Sequence, residues 1–167
     1  MNKQVTMQFI KMLTNLDGIL VKAIAHADAK KFDVNNLLNE RIIADMLPLG
    51  KQIQIACDNA KTCVTLLSHT ETPKFEDNEK TVAEFRTRIQ KTIDLLKTKV
   101  EADYSKYKEA KYAPVWMQGA YLTGEDYFNQ YIFPNFYFHV TTAYDILRKA
   151  GVEIGKSDYM GTLNFHK

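Results

Sequence analysis

The stretch TVAE (81–84), followed by Val82, Phe85, Ile89, Ile93, Leu96 and Val100 at three- and four-residue spacing, leaves the chain one local solution. The Thr81 hydroxyl can accept from the Glu84 backbone N–H while the glutamate reaches back to the cap, which starts a helix. The apolar residues then share one face, and that face needs other elements to cover it.

Two further segments answer with the same period. Val5, Phe9, Met12, Leu13, Leu16, Leu20, Ala23 and Ile24 predict a helix from about residue 3 to residue 29. Gly18 in its middle weakens it by about 1 kcal/mol relative to alanine, and either a close helix–helix approach or chance accounts for it. Ile53, Ala56, Cys57, Ala60, Val64 and Leu67 predict a second helix over roughly 46–68, with Pro48 in its first turn. The connection 30–46 accommodates a short helical turn near Val34 to Leu38, and 68–80 reads as a polar loop.

From Glu101 to Leu122 the periodicity fades. KYAPVWMQGAYLTG (111–124) is aromatic and interrupted by proline and glycine, which suits an extended or hairpin-like crossover. Tyr112, Trp116, Met117 and Tyr121 are expected to pack over one end or side of the molecule, because exposing all of them would make an unusual patch. Thr123 to Asp126 can cap a new helical start. Pro134 then breaks or kinks it, so the last long helix is expected over 134–150, after a shorter helical segment, with Gly151 as its stop. The expected fold is all-α: one domain over 1–167, a four-helix bundle with a long crossover before the last helix.

Composition narrows the function classes. Hydrophobic residues make up 46% and charged residues 25%, and the formal net charge is only +2. The lysines of 91–112 interleave with Asp94, Glu101, Asp103 and Glu109, so no basic stripe forms and nucleic acid is not an expected partner. No apolar run is long enough to span a bilayer, and the N-terminus lacks the marks of a signal peptide; no membrane partner and a cytoplasmic location are expected. Cys57 and Cys63, six apart on one helix, point in different directions and read as small buried thiols. Gly-rich phosphate loops, nucleophile elbows and zinc motifs are missing.

The residue that invites chemistry is His139, in PNFYFHVTTAYDILRKAGV (134–152). At 100° per residue it lies roughly 60° from the centre of its helix's apolar face, with Asn135, Thr142 and Ile146 on the same side. Two readings follow: a neutral, hydrogen-bonded core histidine, or a ligand-binding or acid/base group in an inter-helix pocket. No metal site is expected. A helical ligand pair would read H-x-x-x-H, but Ala143 takes the second place, and His26, His69 and His166 have no ligand spacing to His139. Asp58 shares a polar arc with Lys51, Gln54, Lys61 and Thr65, and reads as solvated or paired to a basic neighbour.

ADMLPL, QIACDNAK, FEDNEKT and above all PNFYFHVTTAYDILRKAGVEIGKSDYMG resemble an uncharacterised family within the DinB/YfiT-like metalloenzyme superfamily, over most of the chain from about Arg41 onward. The resemblance implies a DinB-like four-helix bundle, often assembled as a homodimer. It also implies a divalent metal on three histidines in several superfamily members, some of them thiol transferases. This chain departs from that pattern: its second helix has no histidine, at most His139 carries over, and no cofactor is expected on so incomplete a ligand set.

The sequence therefore supports a small-ligand-binding or structural module without an intact metal site, with His139, Asn135 and Thr142 as the ligand-facing residues. The alternative is a divergent enzyme of the superfamily, metal-dependent or thiol-transferase-like, that uses His139. A homodimer is the expected assembly, because Ile55 and Leu66 widen the apolar arc of the second helix beyond what one core needs.

Overall fold

The computed structural model describes residues 3–166, apart from the side chain of residue 115. Its long helices are α1 (Lys3–Lys30), α2 (Leu49–Leu67), α3 (Val82–Thr98) and α5 (Phe133–Lys149). Helix α2 lies between α3 and α5, and α1 closes the ring against α3 and α5. Buried Phe9, Leu13, Leu16, Ile53, Leu67, Ile89, Leu96 and Phe136 fill the space between them. This is the expected all-α four-helix bundle.

The local signals act as expected at several ends. Thr81 accepts from Glu84 N at 3.2 Å, and the Glu84 carboxylate accepts from Thr81 N at 2.9 Å, completing the capping box of α3. The carboxylate also accepts from Lys80 N at 2.6 Å, and the backbone N–H groups of Lys80 and Thr81 together hold the Glu84 carboxyl below its ordinary range. At the far end of α5, Gly151 takes φ 90°, donating to Arg148 O at 3.1 Å, while Val152 N reaches Leu147 O at 3.1 Å. That pairing is the left-handed glycine stop, and it drives Val152 and Ile154 back into the core. Pro48 is the N-cap of α2 and precedes its first turn.

The crossover contains two short strands, β1 (Lys111–Tyr112) and β2 (Leu122–Thr123), paired antiparallel with Tyr112 opposite Leu122. Thr123 then caps α4 (Gly124–Asp126), accepting from Asp126 N at 3.2 Å. The chain passes through a π-helical turn, Tyr127–Ile132, straight into α5. The separate helical segment expected before Pro134 is thus continuous with the last helix. Proline offers no N–H to the preceding turn, and the wider turn accommodates the lost bond without a break. A short α6 (Lys156–Met160), which the sequence reading did not include, lies on α1, where Asn15 Nδ2 donates to Tyr159 O at 2.9 Å.

Two expectations need correction. The crossover does not pack down as a whole: the Tyr112 ring lies tilted against that of Tyr127 with centroids 4.2 Å apart, but Trp116 is 61% exposed and Tyr121 is 50% exposed. The strand residues Tyr112 and Leu122 pack against the core and Met117 is half-buried, while the rings of Trp116 and Tyr121 stay open. Gly18 meets nothing within 4 Å of an added Cβ, so no close helix approach explains it. Along the polar arc of α2, Lys51 stays exposed while Gln54, Lys61 and Thr65 are buried, because the strap 69–80 folds across them.

Candidate functional site

Helices α2 and α5 face each other along a seam whose lining is partly polar. On α5, His139 and Thr142 are buried and Asn135 is half-buried, all on one side as their spacing requires. On α2, Gln52 and Asn59 stand one heptad apart and face them.

One hydrogen bond defines the histidine. His139 Nδ1 lies 2.6 Å from Gln52 Oε1, and Gln52 Nε2 donates to Leu47 O at 2.8 Å. The second bond fixes which end of the amide is oxygen. Nδ1 must therefore carry the proton, and Nε2 is left with its lone pair. Among the described residues Nε2 has no hydrogen-bond partner. Burial with no acid beside it pushes the imidazole pKa down from 6.5 to about 4, so the ring is neutral at pH 7. The Phe138 ring packs edge-on to it with centroids 5.2 Å apart and is itself 54% exposed.

The second contact is weaker. Asn135 Nδ2 donates to Asn59 Oδ1 at 3.4 Å, which leaves the buried Asn59 Nδ2 without an acceptor. Thr142 lies on the same helix side but shares no hydrogen bond with His139 or Asn135. The structure thus brings His139 and Asn135 into one seam, each joined to a partner on α2. Gln52 and Asn59 are the residues that sequence reasoning missed. Their signal was there: 52 and 59 repeat the seven-residue spacing of 135 and 142.

A divalent metal, which the superfamily resemblance implies, does not fit these residues. Around His139 stand amides and a hydroxyl, poor ligands for such an ion, and Nδ1 already has its partner. Among the described residues no group of three or more His, Cys, Asp and Glu side chains could hold an ion. The cysteines offer nothing reactive. Both are fully buried, and burial pushes the Cys57 thiol up to about 12 and raises that of Cys63.

Asp58 is paired, as one of its two sequence readings had it. Its carboxylate lies 2.8 Å from Lys61 Nζ and accepts from Arg88 Nη2 at 3.0 Å.

The family profile of a domain of unknown function, DUF1993, matches residues 1–160. The chain belongs to the DUF1993 family. The match begins well before Arg41, so the first helix is part of the family's domain. Among solved structures, a DinB family member from Shewanella denitrificans is 44% identical, with a TM-score of 0.92 over 97% of this chain and 92% of that one. The superfamily resemblance read from the sequence stands with it. No curated protein matches the chain. For this DUF1993 protein, no helix among the described residues is long and apolar enough to cross a membrane.

Proposed function

We propose that this DUF1993 bundle is a binding module that holds a small, uncharged, hydrogen-bonding ligand at the α2–α5 seam and does not turn it over. The observation that supports this most is a pair of unspent polar atoms: the His139 Nε2 acceptor and the buried Asn59 Nδ2 donor. A buried donor such as Asn59 Nδ2 is normally satisfied, so a ligand that offers it an acceptor, and a donor to Nε2, suits the seam. Asn135 and Thr142 complete its polar lining.

The alternative is a divergent DinB-superfamily enzyme, metal-dependent or thiol-transferase-like, in which His139 acts as a base. The free Nε2 favours it. The lowered pKa weighs against it, because a base whose conjugate acid loses its proton near pH 4 accepts protons poorly at neutral pH. Nitrogen-15 NMR of the imidazole during a fragment screen separates the two. A binding module gives ligands that shift Nε2 but not Nδ1 and are recovered unchanged. Turnover lost in His139→Gln, or a stoichiometric metal on purified protein, counts against it.

We further propose a cytoplasmic homodimer. Exposed Leu47 and Phe138 sit at the two ends of the Gln52–His139 pair, and a second copy would cover them. Leu66, half-buried against this chain's own core, contributes less than its place on the helix suggested. Light scattering at micromolar concentration that returns the mass of one chain would count against the dimer.

A further inference from the structure

The strap 69–80 has no helix or strand of its own, yet it supplies most of the partners of a buried arginine. Arg88, on the inward side of α3, is 3% exposed. Its Nη1 donates to Glu79 Oε1 at 2.8 Å and to Glu76 O at 3.1 Å, both on the strap. Its Nη2 donates to Asp58 on α2 and lies 3.0 Å from Asp77 Oδ1 on the strap. Asp77 also pairs with Lys51 at 3.2 Å, and Glu79 accepts from Gln54 at 2.8 Å. Between these anchors the Phe75 ring is gripped by two ammoniums, Lys61 Nζ and Lys91 Nζ, each 4.2 Å from its centroid.

These contacts differ from the centre of the bundle, which is filled by aliphatic and aromatic side chains. The strap adheres through carboxylates on cations and cations on a ring, the chemistry by which basic clefts recognise acidic peptides. The fit is incomplete. Arg88 Nε and Gln54 Oε1 are both buried and both without a partner beneath it. Gln54 is 4% exposed. Native cores seldom leave such atoms unspent. On either side of the strap lies an open pocket, about 410 Å³ beside Phe75 and Arg88 and about 360 Å³ beside Gln54 and Asp77, and Glu79 borders both.

We propose that the α2–α3 cleft beneath the strap is a recognition site for an acidic peptide segment with an aromatic residue beside its carboxylates, and that FEDNE (75–79) occupies it as an internal surrogate. A partner segment displaces the strap, places its ring between Lys61 and Lys91, and sets its carboxylates on Arg88 and Lys51. Arg88 Nε and Gln54 Oε1 supply the unused donor and acceptor that a better-fitting segment can engage. This site is separate from the α2–α5 seam, and either can fail without the other.

The test uses the intact protein and a synthetic peptide of residues 72–80, TPKFEDNEK, as the probe. A control peptide carries Gln, Asn and Gln in place of its three acidic residues. Amide hydrogen exchange reads displacement directly: excess acidic peptide should speed exchange in 70–80 and slow it in α2 and α3, and the control should do neither. In the variant Asp77→Asn/Glu79→Gln the strap competes less, so the peptide should bind roughly tenfold more tightly than to wild type. Adding Arg88→Lys should remove that gain, because lysine keeps the charge but lacks the fork. Unchanged strap exchange in the wild type under saturating acidic peptide would overturn the proposal whether or not the variants fold. So would an equal effect of the control, or displacement by succinate or inorganic phosphate where the peptide fails.

Discussion

His139 on α5 and Gln52 on α2, 87 positions apart, share a hydrogen bond of 2.6 Å, and the Leu47 carbonyl holds the glutamine amide in place. The bond crosses the bundle between two of its long helices, so it belongs to the packing of the core as much as to any site. Removing the imidazole leaves a cavity and an unsatisfied Gln52 oxygen.

His139→Ala should therefore destabilise the fold by about 1–3 kcal/mol. His139→Gln, whose amide can still donate toward Gln52, should cost less. Thermal melts of both variants beside wild type check this. An alanine variant that melts at the wild-type temperature would sink the packing role.

The same pair sets a pH dependence. In the folded state the His139 pKa is pushed down to about 4 by burial, while the unfolded chain titrates near 6.5. Between these values the unfolded state binds a proton that the folded state refuses, so stability falls as the pH drops from 6.5 toward 4. Above 6.5 both states are neutral there and the dependence vanishes. The full shift corresponds to a loss on the order of 3 kcal/mol. Denaturant melts at pH 7 and pH 4.5 should show part of that loss in wild type and less of it in His139→Gln.

The long helices were legible because three of them announce themselves by period alone, and α3 by its capping box as well. The turn at 34–39 and the stop at Gly151 were legible for the same local reasons. What stayed hidden was set by contacts far apart in the chain. Gln52 and Asn59 look like ordinary surface amides until α5 is laid against α2. Arg88 occupies the inward side of α3 three residues after Phe85, and its burial depends on a strap that has no periodicity to read. For that reason the sequence left open whether Asp58, on the arc it shares with Gln54 and Lys61, is solvated or paired. The continuous path from α4 into α5 was missed because proline signals a break, whereas a π turn accommodates it.

Trp116 gives an optical check on the crossover. At 61% exposed it should emit near the wavelength of free indole and be quenched readily by acrylamide. Its ring centroid stands 6.0 Å from that of Tyr131. Blue-shifted emission with little quenching would mean that the loop is covered in solution, by the bundle or by a second chain.

Two glycines should respond to alanine in opposite directions. Gly18 lies exposed in the middle of α1, and a Cβ built there meets nothing within 4 Å. Alanine restricts the unfolded chain and favours the helix without a clash, so Gly18→Ala should stabilise by about 0.5–1 kcal/mol. Gly124 opens α4 beneath the turn at 107–109, and a Cβ there would stand within bonding distance of the Tyr107 carbonyl oxygen and 3.1 Å from Leu67 Cδ2. Backbone cannot rotate away as a side-chain tip can, so either the turn or the start of α4 must move. Gly124→Ala should cost about 1–3 kcal/mol, the range of an overpacked core. Urea melts of the two variants against wild type read both signs in one experiment. A Gly124→Ala protein as stable as wild type would show that the close approach of 107 to 124 is not required by the fold.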